Sequence, residues 1–201
     1  MKKKLPVVIG IVITIFAAYF YANTKKTHKI YNNDVNTAVY EAINVLQDSE
    51  TISQKFICKE NQLDGFMIKA GVTGDYEDAV VSVEVKDAKT GEVLTRGEES
   101  GENIRPRKLH YFKVTPLQEC KNRELILEIT EQHTSADQGI LFYWQPQKNT
   151  EDAVSIKGEE KAGVFVMKTV TERFDIETFC VMLFLEWFIW GFLWFLYRMF
   201  K

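Results

Sequence analysis

The chain has 201 residues, 46% of them hydrophobic and 26% charged, with 25 basic against 28 acidic side chains and a net charge of −3. These averages exclude a disordered or collagenous chain and a polytopic transporter. The acidic balance excludes a general nucleic-acid binder, which draws its affinity from Lys and Arg on phosphates.

The charge is unevenly spread. Residues 1–22 and 174–201 hold 5 basic and 3 acidic residues, which leaves 20 against 25, a balance of −5, between them. Leu5 to Ala22 is 18 residues without a charge, about 27 Å as a helix at ~1.5 Å per residue, and the hydrocarbon core of a bilayer is ~30 Å thick. MKKK before an apolar run also opens secretory signals, but Phe16 and Phe20 stand before Ala18 and Ala22 where a cleavage site wants small residues, so residues 5–22 are read as an uncleaved anchor. Residues 23–50 read as a polar linker. Within it Asp34 is expected to cap a short helix in which Val35, Ala38, Val39, Ala42, Ile43 and Leu46 recur at helical spacing. A short strand over residues 38–46 is the alternative.

From Ile52 the period changes to two. Val81, Val83 and Val85 alternate with Ser82, Glu84 and Lys86, and Leu125, Leu127 and Ile129 alternate with Ile126 and Glu128. Alternation of this kind marks half-buried strands. Similar runs stand at SQKFIC, DGFMIKAGV, EVLTRGE, LHYFKV, GILFYW and GVFVMKTV, with turn signals such as DAKTGE and KGEEKAG between them. About eight strands without long intervening helices predict an antiparallel β-sandwich of the jelly-roll type over residues 51–172, large enough to bury its own core.

Residues 174–198 are expected to form a second transmembrane helix. Its apolar stretch from Phe179 to Tyr197 carries one charged residue, Glu186. A carboxyl group that deep normally faces protein, pairs or stays protonated. Glu186, with Trp187, Trp190 and Trp194 along one side of the helix, is therefore the candidate contact for a polytopic membrane partner. Lysines flank the first span almost symmetrically, so orientation rests on the tails: residues 1–4 and 199–201 are placed in the cytoplasm and the middle outside.

The order of SQKF, NQLDGFMIKAG, DAKTGEVL, HYFKVTPLQECKNRELILEIT, GILFYW and GVFVMKT resembles a jelly-roll module of the galactose-binding, carbohydrate-module kind. Modules of that kind occur in the extracytoplasmic parts of bacterial membrane proteins that assemble cell-surface polysaccharide. The resemblance spans about residues 50–170, and it implies a glycan ligand. Sugar recognition needs an aromatic face with amide or carboxylate groups beside it. Trp144 with Gln145, and Tyr76 with Asp75, are the candidate sugar contacts, against the readings that Trp144 is core and that the Tyr76 loop is a solvated hairpin tip. GDYED offers oxygen ligands for a structural calcium but lacks the spacing of a calcium loop, so no cofactor is expected.

Cys58 and Cys120 fall in the middle domain and Cys180 in the second span. A pair outside the cytoplasm suits a disulfide between Cys58 and Cys120, with two separate thiols as the alternative. The three histidines, His28, His110 and His133, build no zinc spacing, and no nucleophile elbow or phosphate loop is present. The sequence therefore reads as a non-enzymatic, two-span accessory subunit that presents a sandwich to cell-surface glycan. A structural protein whose sandwich binds another protein is the alternative.

Overall fold

The alternating strands fold as their period dictates. The computed structural model describes residues 5–32, 34–47, 50–147 and 152–201, with side chains from Ile9 onward in the first helix. Among them are twelve strands: β1 (Asn23–Lys29), β2 (Glu41–Ile43), β3 (Ile52–Ile57), β4 (Gln62–Thr73), β5 (Val80–Asp87), β6 (Val93–Ser100), β7 (Leu109–Gln118), β8 (Glu124–Gln132), β9 (Gly139–Pro146), β10 (Ala153–Ile156), β11 (Glu159–Phe165) and β12 (Met167–Phe174). Two helices complete the chain, α1 (Leu5–Ala22) and α2 (Ile176–Met199). The fold is mainly β, with an antiparallel sheet and two flanking helices. The chain divides into two compact units, Thr27–Thr171 and a helical unit of Met1–Lys26 with Glu172–Lys201.

In the β unit one hydrogen-bonded path runs β1-β12-β4-β9-β11-β10-β3-β8-β5-β6, with β2 added on β9 and β7 on β4. The ladder curls back on itself. Gly97 of β6 lies against the backbone of Lys113 in β7, and Thr95 Oγ1 donates to the Thr115 carbonyl at 2.5 Å. Only a residue without Cβ fits at 97, which brings β6 and β7 together without ladder hydrogen bonds. Inside the curl, Phe66, Phe112, Phe142 and Phe165 are fully buried with Ile52, Leu125, Leu127 and Ile129. Ring centroids at 6.2 Å for Phe112–Phe142 and 5.9 Å for Phe142–Phe165 make the phenylalanines continuous, an arrangement that adds to simple burial.

Three expectations change. There are twelve strands rather than about eight, because GVFVMKTV divides between β11 and β12 and because β1, β2 and β10 are extra. The linker over 23–50 supplies β1 and β2. The helix after Asp34 gives way to a single turn, Thr37–Val39, where the Asn36 side chain accepts from the Ala38 N–H at 2.9 Å. From Tyr40 the chain is extended and pairs with β9, setting Ile43 opposite Phe142 in the core. Burying Ile43 in the sheet outweighs a helical pattern with no partner to cover its apolar face.

In the helical unit, α2 is long and apolar enough to cross a membrane by length and composition, whereas the described part of the first helix, Ile9–Ala22, is shorter. Asp175 caps α2 by accepting from the Glu177 and Thr178 amides at 3.1 Å each.

Candidate functional site

Of the four candidate sugar contacts, Trp144 and Gln145 are buried. Trp144 is 8% exposed, in register with Phe165, with its ring edge over Gly163. Gln145 is fully buried: its Nε2 donates to the Asn32 carbonyl, and its Oε1 accepts from the Asn32 amide, both at 3.1 Å. It ties down the segment after β1. Tyr76 is half-buried against the core, and its carbonyl accepts from the Ala79 amide at 3.1 Å. Asp75 beside it is exposed. Trp144 and Gln145 thus support the fold, and the Tyr76 turn holds itself together, so neither pair presents an open aromatic face.

An aromatic face does form on the outside of β4. Phe66, Ile68 and Ala70 point inward, so Gly65, Met67, Lys69 and Gly71 point outward. The two glycines are slots for neighbouring rings. A Cβ at 65 would stand 2.7 Å from Tyr111 Cε2, and one at 71 would stand 3.0 Å from the Tyr143 hydroxyl and 3.3 Å from its Cε2. Cross-strand tyrosines therefore lie over bare backbone. Between them the Lys69 ammonium sits 5.0 Å from the Tyr40 ring centroid and 5.3 Å from that of Tyr143, within cation–π range of both. Tyr31 meets Tyr40 edge-on at 6.2 Å. Burial, with Tyr40 adding to it, pushes the Tyr31 phenol above its ordinary pKa, so it stays a donor.

Lysines extend the face sideways. Lys113 is in register with Gly65, and Lys168 with Met67, which in turn pairs with Tyr111. The face thus carries Lys69, Lys113 and Lys168 around four tyrosines, and none of these register positions on β4, β7 or β12 is acidic. From Gly65 to Gly71 it is about 20 Å long at ~3.3 Å per residue. Aromatic rings beside cations can stack on a ligand and bond its oxygens.

The opposite sheet differs. A hollow of about 880 Å³ lies over Ser53, Lys55, Ile57, Glu124, Ile126 and Glu160 and mixes both charges. Beside it Lys86 is neutralised by Glu128 at 2.5 Å. His110 lies 3.8 Å from Glu99, and burial holds its imidazole below its ordinary pKa against the pull of that carboxylate. Among the described residues no group of three or more His, Cys, Asp or Glu could hold a metal.

In the helical unit, Gly10, Thr14, Ala18 and Ala22 recur every fourth residue of α1. Ala18 and Ala22 are fully buried and Thr14 nearly so. Small residues at this spacing let helices approach closely, and Trp190 of α2 lies on Gly10 at 3.7 Å from a Cβ there. Glu186 turns to the same side, in a groove of about 390 Å³ with Gly10, Ile13, Thr14 and Ile189. All three tryptophans are exposed, Trp187 at 64%, Trp190 at 60% and Trp194 at 61%, and the Trp190 ring edge also reaches Gly10 of α1.

Sequence reasoning did not single out Tyr40, Lys69, Tyr111 or Tyr143. The available signal was the pair of glycines inside DGFMIKAG, since glycine within a strand marks a close approach.

No family model matches the chain, and no curated protein matches it. Among solved structures it is similar to the cysteine protease and lectin-like domains of Cwp84, a surface layer associated protein of Clostridium difficile. That likeness has a TM-score of 0.34 and 10% identity, over 68% of this chain and 36% of that one. Clostridial Cwp84 after propeptide cleavage gives a TM-score of 0.37 and 11% identity, over 74% and 40%. The VP2 subviral particle of infectious bursal disease virus gives 0.24 and 13%, over 74% and 37%. The chain spans well under half the length of each. Overlaps this loose carry no argument about what it does.

Proposed function

We propose that the chain is a non-catalytic accessory subunit of the cell envelope, in which α1 and α2 cross the membrane and the sandwich holds glycan outside through the outer face of β4. The observation that carries this reading is the set of tyrosines around Lys69, two of them laid over Gly65 and Gly71. Rings already packed against their own sheet would meet a sugar at little further entropic cost, and lysines beside them would reach its oxygens. The membrane reading rests on the apolar length of α2, on an uncharged α1 of 18 residues, and on the small-residue seam between them.

The test is binding of the full chain, in lipid nanodiscs, to a panel of bacterial envelope polysaccharides. Tyr143→Ala and Lys69→Ala should each weaken binding about tenfold, the worth of one good stacking or charge-assisted contact. Equal binding by both variants would remove this face as the site. No binding to any polysaccharide would favour the second reading, a sandwich that contacts another protein, to which the mixed-charge hollow over β3 and β8 is suited.

A further inference from the structure

Glu186 lies ten residues after Ile176 and thirteen before Met199, roughly 15 Å and 20 Å from the helix ends at ~1.5 Å per residue. If α2 spans, its carboxyl group is near the bilayer centre. There a polar side chain turns to protein or to a cavity and finds a partner. Glu186 Oε2 is buried with no hydrogen bond among the described residues. The Thr14 hydroxyl in the same groove does not supply one, because its Oγ1 donates to the Gly10 carbonyl at 2.9 Å. The groove around it is otherwise apolar, walled by Ile13, Ile189 and Trp190. Its polar groups are the Glu186 carboxyl group and the Thr14 hydroxyl, the latter already committed to Gly10.

We infer that this groove receives a transmembrane helix of a different protein, one that carries a Lys or Arg at mid-bilayer depth. A second copy of the chain is a poor occupant. Leu5–Ala22 contains no charge, and the one basic residue of α2, Arg198, is twelve residues from Glu186, about 18 Å along the helix. A cation at the right depth must come from another sequence. Charge complementarity also explains why the stripe of small residues stops short of closing over the carboxylate: Gly10 leaves room where a larger side chain would fill the groove. The inference rests on the proposed reading that α1 and α2 span the membrane, and it is independent of any glycan.

The experiment places the full chain, labelled at its C-terminus with a donor fluorophore, in phosphatidylcholine vesicles with acceptor-labelled leucine-rich transmembrane peptides. One peptide carries a single central Lys and the other is all leucine. The Lys peptide should associate about tenfold more strongly, the order expected for a polar contact between helices in lipid. Glu186→Leu should abolish the preference, and the near-isosteric Glu186→Gln should leave the helix pair intact while losing most of it. Equal association of the two peptides, or a preference that survives Glu186→Leu, would overturn the inference. Energy transfer between copies of the chain that exceeds that to the Lys peptide and disappears in Glu186→Leu would overturn it too, in favour of self-association. Extraction of the chain by alkaline carbonate would bring down the membrane reading and this inference together, whereas insertion without a Lys preference sinks the inference alone.

Discussion

Glu131 occupies an inward position on β8, in line with Leu125, Leu127 and Ile129, and is 3% exposed. Burial pushes its carboxyl pKa up to about 8, although the amides of Ile140 and Leu46 and the charge of Lys157 pull the other way. One oxygen accepts from Ile140 at 3.3 Å, and the other has no partner among the described residues. The folded state therefore holds a proton that the unfolded chain, with an ordinary carboxyl near 4.5, releases. For a raised pKa the stabilisation is complete below the unfolded value and is lost as pH rises through the folded one. Thermal unfolding should accordingly show the β unit weakening between about pH 4.5 and 8, by a few kcal/mol at most, and Glu131→Gln should flatten that slope. A slope unchanged in the variant would show that Glu131 is not its source. Cys58 and Cys120 make a second pair of residues with a decided chemistry. Their Sγ atoms are 3.1 Å apart, and both thiols share the Glu60 carbonyl. Cys120 lowers the Cys58 thiol pKa, while its bond to Cys58 raises its own. Backbone bonds from Cys58 to Arg123 and from Asn122 to Cys58 hold the two in place. In an oxidising compartment the pair should close to a disulfide by exchange with a disulfide oxidant of the cell envelope, which takes up the two protons and two electrons and leaves as a dithiol. Alkylation of the unfolded, unreduced protein should then find one reactive thiol, Cys180, instead of three. Three would mean that the pair stays reduced.

At the scale of elements, strands that alternate apolar and polar residues were legible, and strands that do not were hidden. β5 and β8 each bury one face and declare it by their period. β1 is NTKKTHK, with no apolar residue on either side, and it joins the sheet through backbone pairing that leaves no mark on composition. β2 was masked in another way. Ala38, Ala42, Ile43 and Leu46 fit a helix in spacing, but Ile43 and Leu46 find their burial in the sandwich core. Tertiary burial decided what local pattern left open. The helices were legible in length and charge, while the four-residue seam of Gly10, Thr14, Ala18 and Ala22 acquires meaning only when α2 lies beside it. Beside that seam Glu186 lines a groove with Gly10, Ile13 and Thr14 of α1.

For the molecule as a whole, the two faces differ in charge, one gathering lysines and the other mixing both signs. The segment between the apolar ends carries −5, yet the outer face of β4 bears Lys69, Lys113 and Lys168, while Glu84, Glu124 and Glu128 stand on β5 and β8. No linear reading could assemble this face, since Tyr40, Lys69, Tyr111 and Tyr143 come from four strands or turns and meet only through the β2-β9-β4-β7 order. That difference predicts ligand charge. A neutral glycan would use the rings alone, whereas a uronate-bearing polymer adds attraction to three ammonium groups without a carboxylate among the register positions between them. The full chain should therefore prefer an acidic polysaccharide to a neutral one of similar length, and the preference should shrink about tenfold as salt rises from roughly 0.05 to 0.5 M and the Debye length falls below the spacing of the lysines. Isothermal titration at the two salt concentrations reads this directly. Stacking responds little to salt, so a salt-independent affinity that Tyr143→Ala still reduces would assign the binding to the rings and deny the lysines a part in it.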